Sequence, residues 1–417
     1  ARAPDADSRL VPPGPDPEAA MAAGVEVALP AAPALGLLED WSPPEDCAPG
    51  KMPVVGQNEC QWLATPCPDS PEGTTAWPAD LPEGALRFVS PGGTGDGLTK
   101  HTPMGSIQLA VNAVPAGGTV VLSTGRFVEN VAIHREVNLQ GVCARDTILE
   151  ADGAIPAVAW DDLGDDDPTT HSWDAEFWAD AYVLLLAGPS TSAIADLQVT
   201  GDRIGILATQ HALEVRGVWI KETKISGFNA YVGSLHAEGL AVTGIRSSHV
   251  HAEAGSPYAY GEGIMLEQVP DPVVQRTSSL RRVWIHNTGT DGLQLFGSRD
   301  GTPGMLQYSL EDIVSEGAGQ DAYGGTGLAI GRGSAQLARL YIRNVRGDAG
   351  LRCHGCTLTG AQVVIQDSTA VSGLHVHDGD NADEGASVSL SDVRIQDISP
   401  ATALRGPLEG DTLKFGF

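Results

Sequence analysis

Apolar residues along most of the chain come in short runs that alternate with polar ones, the period-two signature of strands with one buried face. Eight runs align: Ile194, Leu197 and Val199; Val215, Val218 and Ile220; Val242 and Ile245; Leu280, Val283 and Ile285; Leu310 and Ile313; Leu337, Leu340 and Ile342; Val363 and Ile365; Leu390, Val393 and Ile395. The matched positions 197, 218, 245, 283, 313, 340, 363 and 393 are spaced by 21 to 38 residues. Spacing of that size predicts a solenoid: one rung cannot bury its apolar face alone, so successive rungs stack over a shared core. Each unit carries a second, shorter run that opens on glycine: Gly263–Leu266, Gly292–Leu295, Gly327–Ile330, Gly350–Cys353 and Gly373–Val376. Asn287, Asn344, Asp367 and Asp397 recur two residues past the first strand, where turn geometry accounts for them and no chemistry is assigned.

The solenoid is preceded by RFVSPGGTGDGLTKHTPMGSIQLAVNAVPAGGTVVLSTGRFVENVAIHREVNLQGV. It reads as a strand, a glycine-rich loop and a short helix with Ile107, Ala110, Val111 and Val114 on one face, then closely spaced strands. The Gly-x-aromatic-x-Glu-Asn string falls at Gly125, Phe127, Glu129 and Asn130. In these features the chain resembles the pectate-lyase-like right-handed parallel β-helix proteins of secreted bacterial type, over roughly residues 85–400. The resemblance implies an all-β solenoid with an N-terminal capping helix. It also implies a substrate groove on the outer face of one sheet, as in β-helix enzymes that act on polysaccharides. The catalytic strings of polygalacturonase-type hydrolases, pectate lyases and mannuronan epimerases are absent, so no family's catalytic set transfers, and fold alone does not give function.

Alternation along the glycine-led strands turns Leu293, Leu295, Leu351, Cys353, Leu374 and Val376 inward. It turns Met265, Glu267, Gln294, Phe296, Ala329, Gly331, Arg352, His354, His375 and His377 outward. Neighbouring rungs then set Arg352, His354, His375 and His377 side by side. Three readings fit them. A histidine acts as general base while an arginine holds a carboxylate or oxyanion. Alternatively, the histidines ligate a divalent metal with help from Asp378 or Asp380, with Ca2+ at these carboxylates as one form of that reading. The third reading is a solvated polar ladder. Cys353, directed away from His354, reads as a buried thiol or a local disulfide with Cys356.

Long connections on a rigid scaffold are where binding groups gather. Residues 249–262 offer His249, His251, Glu253, Tyr258, Tyr260 and Glu262, and residues 316–326 offer Glu316, Asp321 and Tyr323. Tyrosines beside carboxylates suit sugars, so these join Glu267, Gln294 and Phe296 as candidate substrate contacts. The acidic, tryptophan-bearing stretch 153–180 reads as a calcium loop, a lid or a solvated insertion. On the other sheet, Trp219, Trp284 and Tyr341 face outward, interrupted by Arg246 and Val314, either to hold a ligand or to be covered by the N-terminal segment.

Composition narrows the function classes. The 417 residues carry a formal charge of −28, which argues against nucleic acid as a general partner. Residues 276–352 nevertheless hold nine arginines against seven acids, so an anionic glycan remains compatible with those rungs. No apolar run is long enough to span a bilayer. Residues 1–40, Ala/Pro-rich and aperiodic, read as a disordered stalk that could anchor the protein at a surface. Cys47, Cys60 and Cys67 then define a disulfide-stapled segment over 41–84, their spacings fitting no zinc pattern, and the β-helix occupies 85–417. Six cysteines in all suit an oxidising compartment, secreted or on the bacterial surface. The expectation is a protein that binds an extracellular polysaccharide or cell-surface glycan. If it is an enzyme, it is a lyase, glycoside hydrolase or epimerase; otherwise it is a non-catalytic scaffold or adhesin.

Overall fold

The computed structural model describes residues 41–69, 75–153, 181–231, 233–249, 259–267, 276–297, 306–320, 324–377, 385–399, 404–405 and 413–414. Two parallel sheets wind around one another as a right-handed β-helix, the hand expected of parallel crossovers. The first sheet stacks long strands: Thr191–Thr200, Ala212–Lys221, Ser234–Ile245, Arg276–Thr288, Leu306–Glu316, Ser334–Arg343, Thr357–Gln366 and Ser387–Ile395. The second stacks the strands between them: Tyr182–Ala187, Ile204–Thr209, Ser226–Tyr231, Glu262–Glu267, Leu293–Phe296, Gly325–Gly331, Arg346–His354 and Thr369–His377.

Each long strand is bent once by a residue with positive φ. These residues, Asp196, Gly217, Gly239, Arg282, Asp312, Arg339, Gln362 and Asp392, stand one above another with φ between 53° and 69°. The bend turns the backbone without breaking the ladder. A second corner follows each long strand, where Asn287, Asn344, Asp367 and Asp397 all have φ between 50° and 56°. Their side chains tolerate the left-handed region, which is why this row recurs in the sequence.

The aligned apolar row is Leu197, Val218, Leu240, Val283, Ile313, Leu340, Val363 and Val393. The sequence alignment differs at one rung: Leu240, not Ile245, pairs with Val218, and Ile245 pairs with Thr288. Both Gly239 and Gly244 take φ of +69° and each is followed by an apolar residue, so the corner glycine imitates the bend glycine in the pattern. Inside, the buried residues of both sheets form one continuous core from Val89 to Leu390.

The capping helix is Ile107–Ala113, and Ile107, Ala110, Val111 and Val114 are all buried. Ser106 accepts a hydrogen bond from Leu109 N as N-cap. The Glu129 carboxylate accepts from Ile107 N, Gln108 N and Ser106 Oγ, at 2.6, 3.2 and 2.9 Å. Two of the helix's orphan N–H donors are thereby satisfied from the first rung and a third by Ser106, and the negative charge lies at the positive end of the dipole. Asn130 Oδ1 accepts from Asp152 N at 3.2 Å, and Phe127 is buried. The motif is thus the joint between cap and solenoid.

Disulfides join Cys47 to Cys60, Cys67 to Cys143 and Cys353 to Cys356. The second ties the segment around residues 41–69 to the first sheet. On that sheet's outer face the row is Gln198, Trp219, Ala241, Trp284, Val314, Tyr341, Val364 and Arg394, so Ala241 stands where the sequence alignment put Arg246. The segment's Trp41, Met52, Val54, Val55 and Leu63 bury this row, with Trp41 edge-on to Tyr341 at 5.0 Å between ring centroids. The aromatic ladder is therefore a packing surface for the chain's own segment rather than a ligand face. Polar ties flank it: Arg282 Nη2 donates to Trp62 O at 2.7 Å, and Thr65 Oγ1 to Asp196 Oδ2 at 2.9 Å.

Candidate functional site

The chain's own segment covers the first sheet after its bend, while Glu214, Arg216, Gln336, Thr359 and Ser389 before the bend stay exposed; the candidate residues lie on the outer face of the second sheet. Two side-chain rows run along it. One is Leu185, Leu207, Asn229, Met265, Gln294, Ala329, Arg352 and His375 in register. The other is Ala187, Thr209, Tyr231, Glu267, Phe296, Gly331, His354 and His377. Early on, the face is apolar and buried, with Tyr182, Leu185, Ile204, Leu207, Tyr231 and Met265 in one cluster. From Glu267 onward it turns polar.

The four residues singled out by pattern lie on two neighbouring strands, Arg352 beside His375 and His354 beside His377. The rings of His354 and His377 are 3.9 Å apart between centroids, and those of His375 and His377 are 5.2 Å apart. Asp348, one turn of strand earlier, organises the pair the sequence pointed to. Its Oδ2 accepts from Arg352 Nη1 at 2.9 Å, while its Oδ1 lies 3.7 Å from His375 Nδ1. The second distance is too long for a hydrogen bond. Cys353 faces the core and closes a short turn to Cys356, which holds the end of this strand.

Two further carboxylates lie on this face at the starts of glycine-led strands. Asp291 Oδ1 accepts from Thr326 N at 2.5 Å, and its Oδ2 accepts from Gln294 Nε2. Burial raises its pKa, while Gln294, Arg352 and Thr326 draw it back. Glu262, on the preceding rung, accepts from Gly261 N at 3.2 Å. Burial, aided by the charge of Asp291, pushes Glu262 up to about 8. Glu262 was expected as part of the 249–262 connection, whereas Asp291 and Asp348 were not among the expected site residues. Each sits just before a glycine-led strand, where period-two reading has stopped.

Of the expected substrate contacts, Glu267, Gln294 and Phe296 share this face. The Phe296 ring lies over Gly331: a Cβ there would meet Phe296 Cδ1 at 2.8 Å. The backbone of His249 and Tyr260 lies on a short antiparallel pair, 248–249 with 259–260, and their side chains lie outside the described residues. His251, Glu253, Tyr258, Asp321, Tyr323, Asp378, Asp380 and the acidic stretch from 154 to 180 also lie outside them. Among the described residues, the one group of three potential ligand atoms close enough to share an ion is Cys67, Cys143 and Asp146, and its sulfurs are joined in a disulfide. Among the described residues no helix is long and apolar enough to cross a membrane.

No protein-family model matches the chain, and no curated protein matches it in sequence. Solved structures do match in shape. A pectate lyase is 13% identical, with 79% of this chain and 78% of that chain covered at a TM-score of 0.49. An alginate lyase from Paenibacillus sp. str. FPU-7 is 14% identical over 75% of this chain and 96% of that one, with a TM-score of 0.43. The A-module of a mannuronan C-5 epimerase from Azotobacter vinelandii is 11% identical over 74% and 93%, at 0.36. Nothing further is carried over from these likenesses; the strand register described above establishes the parallel β-helix from this chain's own pairing.

Proposed function

We propose that this chain is an extracytoplasmic protein that binds an extracellular polysaccharide along the outer face of its second sheet. The observation that carries this reading is the in-register block of Arg352, His354, His375 and His377, supported by Asp348 and placed on rigid strands. Glu267, Gln294 and Phe296 continue the strip along the solenoid axis at about 4.8 Å per rung. An extended sugar chain lying along that axis meets hydrogen-bonding groups in one row and ring faces in the other. Three disulfides support an oxidising compartment.

The same groups suit proton transfer. His375 serves as base with Asp348 stabilising its charged form, and Arg352 holds a substrate carboxylate or the oxyanion that develops when a neighbouring proton is removed. Lyase or epimerase chemistry on a uronic polymer would use that pair. The competing reading is a surface scaffold that docks glycan without turning it over.

Binding and turnover measured across uronic and neutral polymers separate them. Binding lost in R352A and H375A/H377A supports the site, and turnover lost in the same variants supports the enzyme. Turnover that survives H375A/H377A would sink the site assignment, and binding without turnover favours the scaffold.

A further inference from the structure

Glu262 and Asp291 occupy the same register position on neighbouring rungs, with Gly263 N donating to Asp291 O at 2.9 Å between them. Both are buried. Asp291 is well supplied with donors, taking Thr326 N and Gln294 Nε2 on its two oxygens, and Arg352 acts on it electrostatically. Glu262 takes Gly261 N and its own backbone N–H, and the charge that reaches it is the negative one of Asp291.

The groups on the packed elements are consistent with this division. Ser226 and Asn229 on the preceding strand bond each other at 2.6 Å. Thr326 on the following strand is neutral, and beyond it stand Asp348 and Arg352, already paired. Two adjacent carboxylates in a dry site with one cation between them and the histidines do not both ionise at low cost.

On the reading that this strip binds a glycan, we propose that Glu262 and Asp291 hold one proton between them, carried on Glu262, and that glycan binding is lost when that proton leaves. A second negative charge beside Asp291 strengthens the hold of the floor on Arg352, the cation that the glycan must engage. The pair is not the acid partner of His375: three rungs, about 14 Å, separate Asp291 from it, too far to act on one bond. Its role is to set the charge of the strip. The burial that pushes Glu262 up to about 8 places the change in mildly alkaline solution, above the histidine range.

The test uses the full chain and E262Q, with polygalacturonate, alginate and a neutral β-glucan as probes between pH 7 and 9.5. Wild-type affinity for the probe that binds should fall about tenfold per pH unit above 8, and E262Q should be flat. The same fall in E262Q overturns the proposal.

Thermal stability gives an arm independent of glycan. The folded state keeps a proton that the unfolded state releases near 4.5, so wild-type stability falls as pH rises from there to about 8, relative to E262Q. Equal slopes overturn the shared proton. The expected slopes with no glycan bound at any pH would sink the glycan reading and leave the proton pair standing. If E262Q does not fold, infrared difference spectra of the wild type must show a buried protonated carboxyl disappearing near pH 8, and its absence overturns the proposal.

Discussion

Asp348 binds Arg352 and lies beside His375, one oxygen accepting from Arg352 Nη1 at 2.9 Å and the other 3.7 Å from His375 Nδ1. The three side chains come from adjacent strands and are about a third exposed or less, and the carboxylate fixes the Arg352 guanidinium beside the imidazole of His375. D348N keeps the shape and removes the charge. The pair is partly solvated, so stability should change by about 1 kcal/mol or less. Glycan affinity should fall about tenfold, the cost of one charge-assisted contact. Calorimetric titration beside thermal melts reads both, and unchanged affinity would remove Asp348 from the site.

Gly239 is where the N-terminal segment presses closest on the solenoid. A Cβ there would lie 1.8 Å from Leu63 O, and the residue's φ of +69° is itself unfavourable for a side chain. G239A should therefore lift the segment near Leu63 and destabilise the protein by about 2–4 kcal/mol. Trp41 and Trp284 are buried beneath or within that segment, so intrinsic fluorescence should report the change, as should faster amide exchange over residues 50–65. Glycan binding on the opposite sheet should persist, and its loss would show the two faces to be coupled.

Arg339 lies on the bend row with its guanidinium bonded to both Asp312 and Glu311, all three side chains mostly buried. Those carboxylates hold its pKa above the ordinary arginine value. R339M keeps the aliphatic stem but removes the cation bonded to both buried carboxylates, leaving Glu311 only Arg281 at 3.9 Å, and destabilisation of about 2–4 kcal/mol is expected. Denaturant melts of R339M against the triple variant R339M/E311Q/D312N check the cause. Restored stability in the triple variant assigns the loss to uncompensated charge, and no recovery assigns it to packing.

The solenoid was legible because burial imposes period two on every rung, and stacking imposes the same corner residue on successive rungs. Asn287, Asn344, Asp367 and Asp397 show the second effect, and Leu351, Cys353, Leu374 and Val376 the first. The outer histidines followed from the same alternation, as residues between core positions. Asp291 and Asp348 did not, because the chain changes direction before each glycine-led strand and the parity of inward and outward positions lapses there; Glu262 was reached only as part of the long 249–262 connection. The aromatic row Trp219, Trp284 and Tyr341 was legible as outward-facing, with cover by the N-terminal segment as one of two readings, and the choice between them was not legible because its partners Trp41, Met52 and Leu63 lie more than 150 residues away in sequence. Pairing of Cys67 with Cys143 is a contact of the same long-range kind.

That disulfide spans 76 residues and joins the covering segment to the solenoid next to Arg145, which donates to Pro68 O at 3.1 Å. Closing a loop of this length restricts the unfolded chain by about 4 kcal/mol in the chain-entropy treatment. C67S/C143S should lose about that much, whereas opening the 13-residue Cys47–Cys60 loop in C47S/C60S should cost less. The segment itself should stay docked in C67S/C143S, because Trp41 against Tyr341, Arg282 on Trp62 O and Thr65 on Asp196 remain. Limited proteolysis between residues 41 and 69 distinguishes the outcomes. Protection with a lowered melting temperature supports a tether acting on the unfolded chain, and rapid cleavage shows that the disulfide itself holds the segment in place.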